Sequence, residues 1–115
     1  MDGGTASDLA VGDLAAVDGE GIAVGCDAGG IYALSTLCTH ALCDMASHGS
    51  VNGAGLFCSC HGGRFDPNGA VVQGPARQDL PHFAVTIDDQ GTIQVNTDTE
   101  VAASERTADP SAGTA

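Results

Sequence analysis

Lysine is absent from this 115-residue chain, and Arg64, Arg77 and Arg106 are its only basic residues against 15 acidic ones. The formal charge of −12 excludes a nucleic-acid-binding role, because phosphate recognition needs the opposite sign. An anionic membrane surface would repel the chain for the same reason. No apolar run approaches the roughly 20 residues that cross a bilayer, so direct membrane insertion is not expected. The opening Met1-Asp2-Gly3-Gly4 has neither a basic nor an apolar leader region. As written, the chain is expected in the cytoplasm. A periplasmic or exported location is the alternative if the N-terminus is truncated. Large apolar side chains are scarce too: Leu, Ile, Val and Phe number 23 of 115, whereas Ala alone contributes 18. That is close to the level at which a charged chain stays disordered. A single domain with so thin a core needs a staple, and the five cysteines are the place to look for it.

What is present reads as strands and turns. Seventeen glycines disfavour helix, and no segment sustains a 3.6-residue period. Val11 to Val17 and Gly21 to Gly25 are predicted strands around an Asp18-Gly19 turn. Ile31 to Ser35 returns from a second turn at Asp27-Ala28-Gly29-Gly30. Phe83, Val85 and Ile87 alternate with polar or small neighbours. Asp88 to Gly91 turns the chain, and Ile93 and Val95 resume the alternation, which predicts a hairpin with one buried face. Residues 1–7 read as a flexible N-terminus and 97–115 as a disordered tail. The expected domain is residues 8–96, all-β, with an inserted loop region between Leu37 and Gly74.

Two short boxes inside that insertion carry four of the five cysteines and two of the four histidines. The first is Cys38-Thr39-His40-Ala41-Leu42-Cys43, and the second runs Cys58-Ser59-Cys60-His61-Gly62-Gly63-Arg64-Phe65-Asp66. Each offers one thiolate and one imidazole from a single turn. Two such loops can hold two adjacent irons, Cys38 and Cys58 on one and His40 and His61 on the other. The rival is a structural zinc ion on the same four side chains. Zinc ordinarily takes paired cysteines and paired histidines at closer spacing, and it leaves Cys43 and Cys60 without a role, so the pattern favours iron–sulfur.

At these boxes the sequence resembles the Rieske iron–sulfur family. The likeness continues through Phe65-Asp66-Pro67-Asn68-Gly69, Val71, Gly74-Pro75-Ala76, Leu80-Pro81 and the closing hairpin. It implies an antiparallel β-sandwich base with a small inserted cluster-binding subdomain, about residues 37–74, and a [2Fe-2S] cofactor. By resemblance, Cys38 and Cys58 hold the inner iron, His40 and His61 the outer one, and Gly74-Pro75-Ala76 covers the cluster. The resemblance also implies a Cys43–Cys60 disulfide, as in high-potential, quinol-oxidising members. Gly62, Gly63 and Phe65 complete the expected cluster environment. Gly63 and Phe65 stand where those members carry a Ser and a Tyr hydroxyl, a departure that predicts a lower potential. Cys26 reads as a small core residue, and His48 and His82 lack ligand spacing.

Two neutral imidazoles in place of two thiolates make an added electron cheaper to hold than in an all-cysteine cluster. The implied function is one-electron transfer, with no nucleophile–base pair to suggest enzymatic chemistry. The leading expectation is a ferredoxin that takes electrons from a reductase and passes them to a terminal oxygenase. The alternatives are a Rieske subunit or fragment from a respiratory complex, of the quinol–cytochrome oxidoreductase or arsenite oxidase type, and a redox-silent, metal-stapled interaction module.

Overall fold

The computed structural model describes residues 2–17, 20–37, 44–60, 62–74 and 78–107. Its strands are β1 (Asp2–Thr5), β2 (Leu14–Val17), β3 (Ile22–Asp27), β4 (Gly30–Ser35), β5 (Gly49–Asn52), β6 (Gly55–Cys58), β7 (Arg64–Phe65), β8 (Val71–Gln73), β9 (His82–Ile87) and β10 (Thr92–Val101). They form a six-stranded sheet in the order β1-β10-β9-β4-β3-β2 and a four-stranded sheet in the order β5-β6-β7-β8. Every pairing is antiparallel. The protein is therefore all-β, built from two antiparallel sheets as the sequence predicts.

The larger sheet follows from strand alternation. On β3 and β4, Ala23, Tyr32 and Leu34 face the smaller sheet and pack with Leu56, Cys58 and Phe65. Their neighbours Ile22, Val24, Ile31 and Ala33 face the other way, onto Ile93 and Val95 of β10. With both faces buried, β3 and β4 can be apolar without a polar stripe. The sheet curls on itself to close the second cluster, and a Cβ on Gly3 of β1 would lie 3.0 Å from both Val24 Cγ1 and Ile93 Cγ2. Gly25 is needed for a different reason: the Tyr32 ring lies across it, and a Cβ there would sit 2.5 Å from Tyr32 Cζ.

The structure departs from three sequence expectations. The N-terminal residues are not free, since β1 pairs with β10 through Asp2↔Gln94 and Thr5↔Thr92. Ladder hydrogen bonds need no large side chains, so this strand leaves little pattern in the sequence. Nor does the tail begin at residue 97. Pairing with β9 jumps from Asn96↔Ala84 to Glu100↔Phe83, a bulge after which β10 continues to Val101. Thr107 then bridges Ile31, so the ordered chain reaches well beyond the expected boundary. Finally, the segment read as an inserted loop holds β5 to β8, strands of two to four residues that are too short to show a period. The predicted Asp27–Gly30 and Asp88–Gly91 turns are present, each closed by its aspartate side chain accepting from backbone N–H groups. The Asp18-Gly19 turn lies outside the described residues.

Candidate metal centre

The base of the first box is built by polar bonds. Leu37 and Asp44 form an antiparallel bridge that brackets residues 38–43. Asp44 Oδ1 accepts from the Thr36 hydroxyl at 2.8 Å and from Ala46 N–H at 2.9 Å. Its backbone oxygen accepts from the N–H groups of Ser47 and His48. Met45 follows, fully buried, and packs in the same apolar cluster as Cys58.

The second box folds into a tight knuckle. Cys58 ends β6, its N–H donates to Gly63 O, and Gly62 N–H donates back to Cys58 O, each at 2.8 Å. Gly62 makes the reversal possible with φ of +77°. The two bases are tied together by Ser59, whose N–H and hydroxyl both donate to His48 O, at 2.8 and 2.6 Å. The end of β8 is held to this knuckle through Gln73 Nε2, which donates to Gly62 O at 3.2 Å. Asp79 Oδ1 accepts from Val71 N–H at the start of β8, at 3.0 Å.

Of the four expected ligands, the described residues include Cys58 alone; Cys38, His40 and His61 lie outside them. The Cys58 thiol is free and wholly buried among Leu56, Phe65, Met45 and Leu34. A thiol withheld from water at the foot of a knuckle fits the inner iron of a two-iron cluster and would be poorly placed for surface chemistry. Cys60 is disulfide-bonded; Cys43, its expected partner, lies outside the described residues, as does Pro75. Gly63 is buried, Gly74 is exposed, and the Phe65 ring shares the apolar cluster of Cys58. Among the described residues no group of three or more His, Cys, Asp or Glu side chains forms a competing metal site.

Sequence reasoning missed a polar cluster behind the second box. His82 is buried, stacks on Tyr32 at 5.7 Å between ring centroids, and donates from Nε2 to Asn68 O at 2.7 Å. Its Nδ1 is buried with no hydrogen-bond partner among the described residues. Burial is the main cause that holds the imidazole below its ordinary pKa. The Tyr32 hydroxyl donates to Pro67 O at 2.7 Å, and burial pushes its pKa upward. Only the Asp66-Pro67-Asn68-Gly69 run hinted at this, as part of the family resemblance.

The profile of the Rieske [2Fe-2S] domain matches residues 4–84, which include both boxes and the knuckle. The chain belongs to the Rieske family. Its cofactor is accordingly the [2Fe-2S] cluster of that domain, and its general role is electron transfer. The chain is 36% identical over 64 residues to the cytochrome b6-f complex iron-sulfur subunit of Prochlorococcus marinus (strain MIT 9515), covering 56% of this chain and 35% of that protein. It thus spans about a third of the length of that curated relative. Among solved structures, the plasma membrane Rieske protein PetC3 from Synechocystis PCC 6803 superposes with a TM-score of 0.61 at 31% identity, covering 84% of this chain and 99% of that one. The ferredoxin–oxygenase complex of carbazole 1,9a-dioxygenase gives a TM-score of 0.57 at 27% identity, covering 84% of this chain and 100% of the matched chain. These likenesses establish the Rieske fold.

Proposed function

We propose that this Rieske protein is a ferredoxin that carries single electrons from a reductase to a terminal oxygenase in the cytoplasm, with Cys38, His40, Cys58 and His61 as cluster ligands. When bound, the [2Fe-2S] cluster supplies a site that accepts and releases one electron. The protein's own part is to set the cost of that electron. Cys58 does so by keeping its sulfur dry, since it is fully buried. Gly63 offers no side chain, and its carbonyl is occupied by Cys58 N–H. Phe65, 2% exposed in the same apolar cluster, carries no hydroxyl. The missing hydroxyl donors carry this reading, because each would stabilise the reduced state. The likeness to a chain of the oxygenase–ferredoxin complex of carbazole 1,9a-dioxygenase, matched over its whole length, supports the choice of partner.

Protein-film voltammetry tests the proposal. Rieske centres span about −150 to +300 mV, and the expected value lies in the lower half. A potential near the upper end would overturn the oxygenase reading. It would favour a second one, in which the chain exchanges electrons with a membrane-bound cytochrome complex outside the cytoplasm. That reading draws on the bonded Cys60 and on the likeness to the b6-f subunit, since disulfides persist in oxidising compartments. A colourless protein holding one zinc per chain would instead identify a redox-silent, metal-stapled module.

A further inference from the structure

The Rieske profile ends at residue 84, yet the chain continues through β10 and doubles back. Thr107 and Ile31 exchange backbone hydrogen bonds at 2.8 Å in both directions. Beside them Arg106 reaches three elements of the matched domain. Its Nε and Nη2 both lie 2.9 Å from Asp27 Oδ2 on β3. Nη2 also donates to Asn68 Oδ1 at 2.6 Å, and the guanidinium carbon sits 4.2 Å from the centroid of the Tyr32 ring. Nη1 donates to the backbone oxygens of Ala103 and Glu105, so the fork is held by its own turn. Only 13% of the arginine side chain is exposed. The ion pair also holds the Asp27 carboxyl below its ordinary pKa, chiefly through the hydrogen bond from Arg106.

Asn68 belongs to the turn between β7 and β8. The same turn gives its Pro67 oxygen to the Tyr32 hydroxyl and its Asn68 oxygen to His82 Nε2. Both strands flanking the turn connect to the cysteine knuckle: Gly63, which precedes β7, accepts from Cys58 N–H, and Gln73 on β8 donates to Gly62 O. We infer that Arg106 is a positioning residue: through Asn68 it locks the 66–69 turn to the base sheet and so fixes the hairpin that supports the Cys58 knuckle. The fork geometry matters as well as the charge, because one guanidinium meets a carboxylate, an amide oxygen and a ring face together. The inference rests on family membership and holds whichever partner receives the electron.

The competing role is purely local, with Arg106 pinning its own C-terminal segment. Full-length, cluster-loaded protein separates the two by amide hydrogen exchange and by EPR of the reduced cluster. Arg106→Ala should speed exchange at Gly69, Ala70 and Leu80, and also at Cys58 and Gly62, by about tenfold or more. It should also broaden or shift the EPR signal. Asn68→Ala removes only the contact with the turn and should reproduce the knuckle and EPR effects. This variant carries the test if Arg106→Ala does not fold. Thr107→Ala loses its hydroxyl bond to Val85 O and should loosen the C-terminal segment while leaving EPR unchanged. Arg106→Lys keeps the charge without the fork and should not restore the wild-type spectrum. Faster exchange confined to Ile31 and residues 102–107, or full rescue by Lys, would overturn the positioning role.

Discussion

The two sheets are held together by different physics. The six-stranded sheet buries alternate residues on both faces, and Ala23, Ala33, Leu34 and Ile93 are wholly inaccessible. Its stability comes from apolar burial, at roughly 25 cal/mol per Å² removed from water. The four-stranded sheet has strands of two to four residues and exposes much of β5 and β8, including Val72 at 65%. Its turns, like those at Asp27 and Asp88 in the larger sheet, are fastened by side chains to backbone: Asp44, Asn52, Ser59, Asp66, Gln73 and Asp79 each make such a bond. A scaffold can be oily and rigid. The smaller sheet adds only Leu56, Cys58 and Phe65 of its strands to the buried apolar cluster, so it should lean more than the larger one on polar bonds and on the bound cluster.

If that contrast holds, Cys58→Ser should have the largest effect. Loss of its thiolate should abolish the visible cluster spectrum and unfold the four-stranded sheet, while circular dichroism still shows strand structure from the larger one. Retention of native proteolytic resistance in β5–β8 would show that the small sheet stands without metal. Leu34→Ala, at a fully buried position between the sheets, should cost about 2–5 kcal/mol in denaturant titration. Asp66→Ala removes the acceptor for the N–H groups of Asn68 and Ala70. It should cost about 1–2 kcal/mol while leaving the larger sheet's slow-exchanging amides protected.

Smaller effects sharpen the comparison. Gly63→Ser and Phe65→Tyr should each raise the potential by tens of millivolts. A differential stabilisation of about 1 kcal/mol is a little under the ~59 mV that marks a tenfold change for one electron. Voltammetry on each variant decides it, and a potential unmoved by both would remove the hydroxyl argument. His82 predicts a modest pH dependence. Burial lowers its folded pKa from 6.5. In the window below 6.5 the unfolded chain therefore takes up a proton that the folded one refuses. Stability should fall with falling pH until the folded pKa is reached, and His82→Gln should flatten that slope relative to wild type. An unchanged slope would mean that the lost stability comes from other groups.

The sequence by itself determined the chemistry and much of the larger sheet. The cysteine and histidine spacing of the two boxes is local, and so is the alternation at Phe83, Val85, Ile87, Ile93 and Val95 that becomes β9 and β10. Of the expected site residues, the described ones bring Cys58, Gly62 and Gly63 into one knuckle, with Phe65 packed in the same apolar cluster as Cys58. The tertiary structure alone decided the rest. β1 is set by a partner 87 to 92 residues away in sequence (Thr5↔Thr92, Asp2↔Gln94), and β5 to β8 are too short to carry a period. Burial of His82 and the grip of Arg106 on Asp27, 79 residues distant, depend on partners that a linear reading does not reveal. Local pattern reports what a segment prefers, whereas these features depend on which distant segments fold against it.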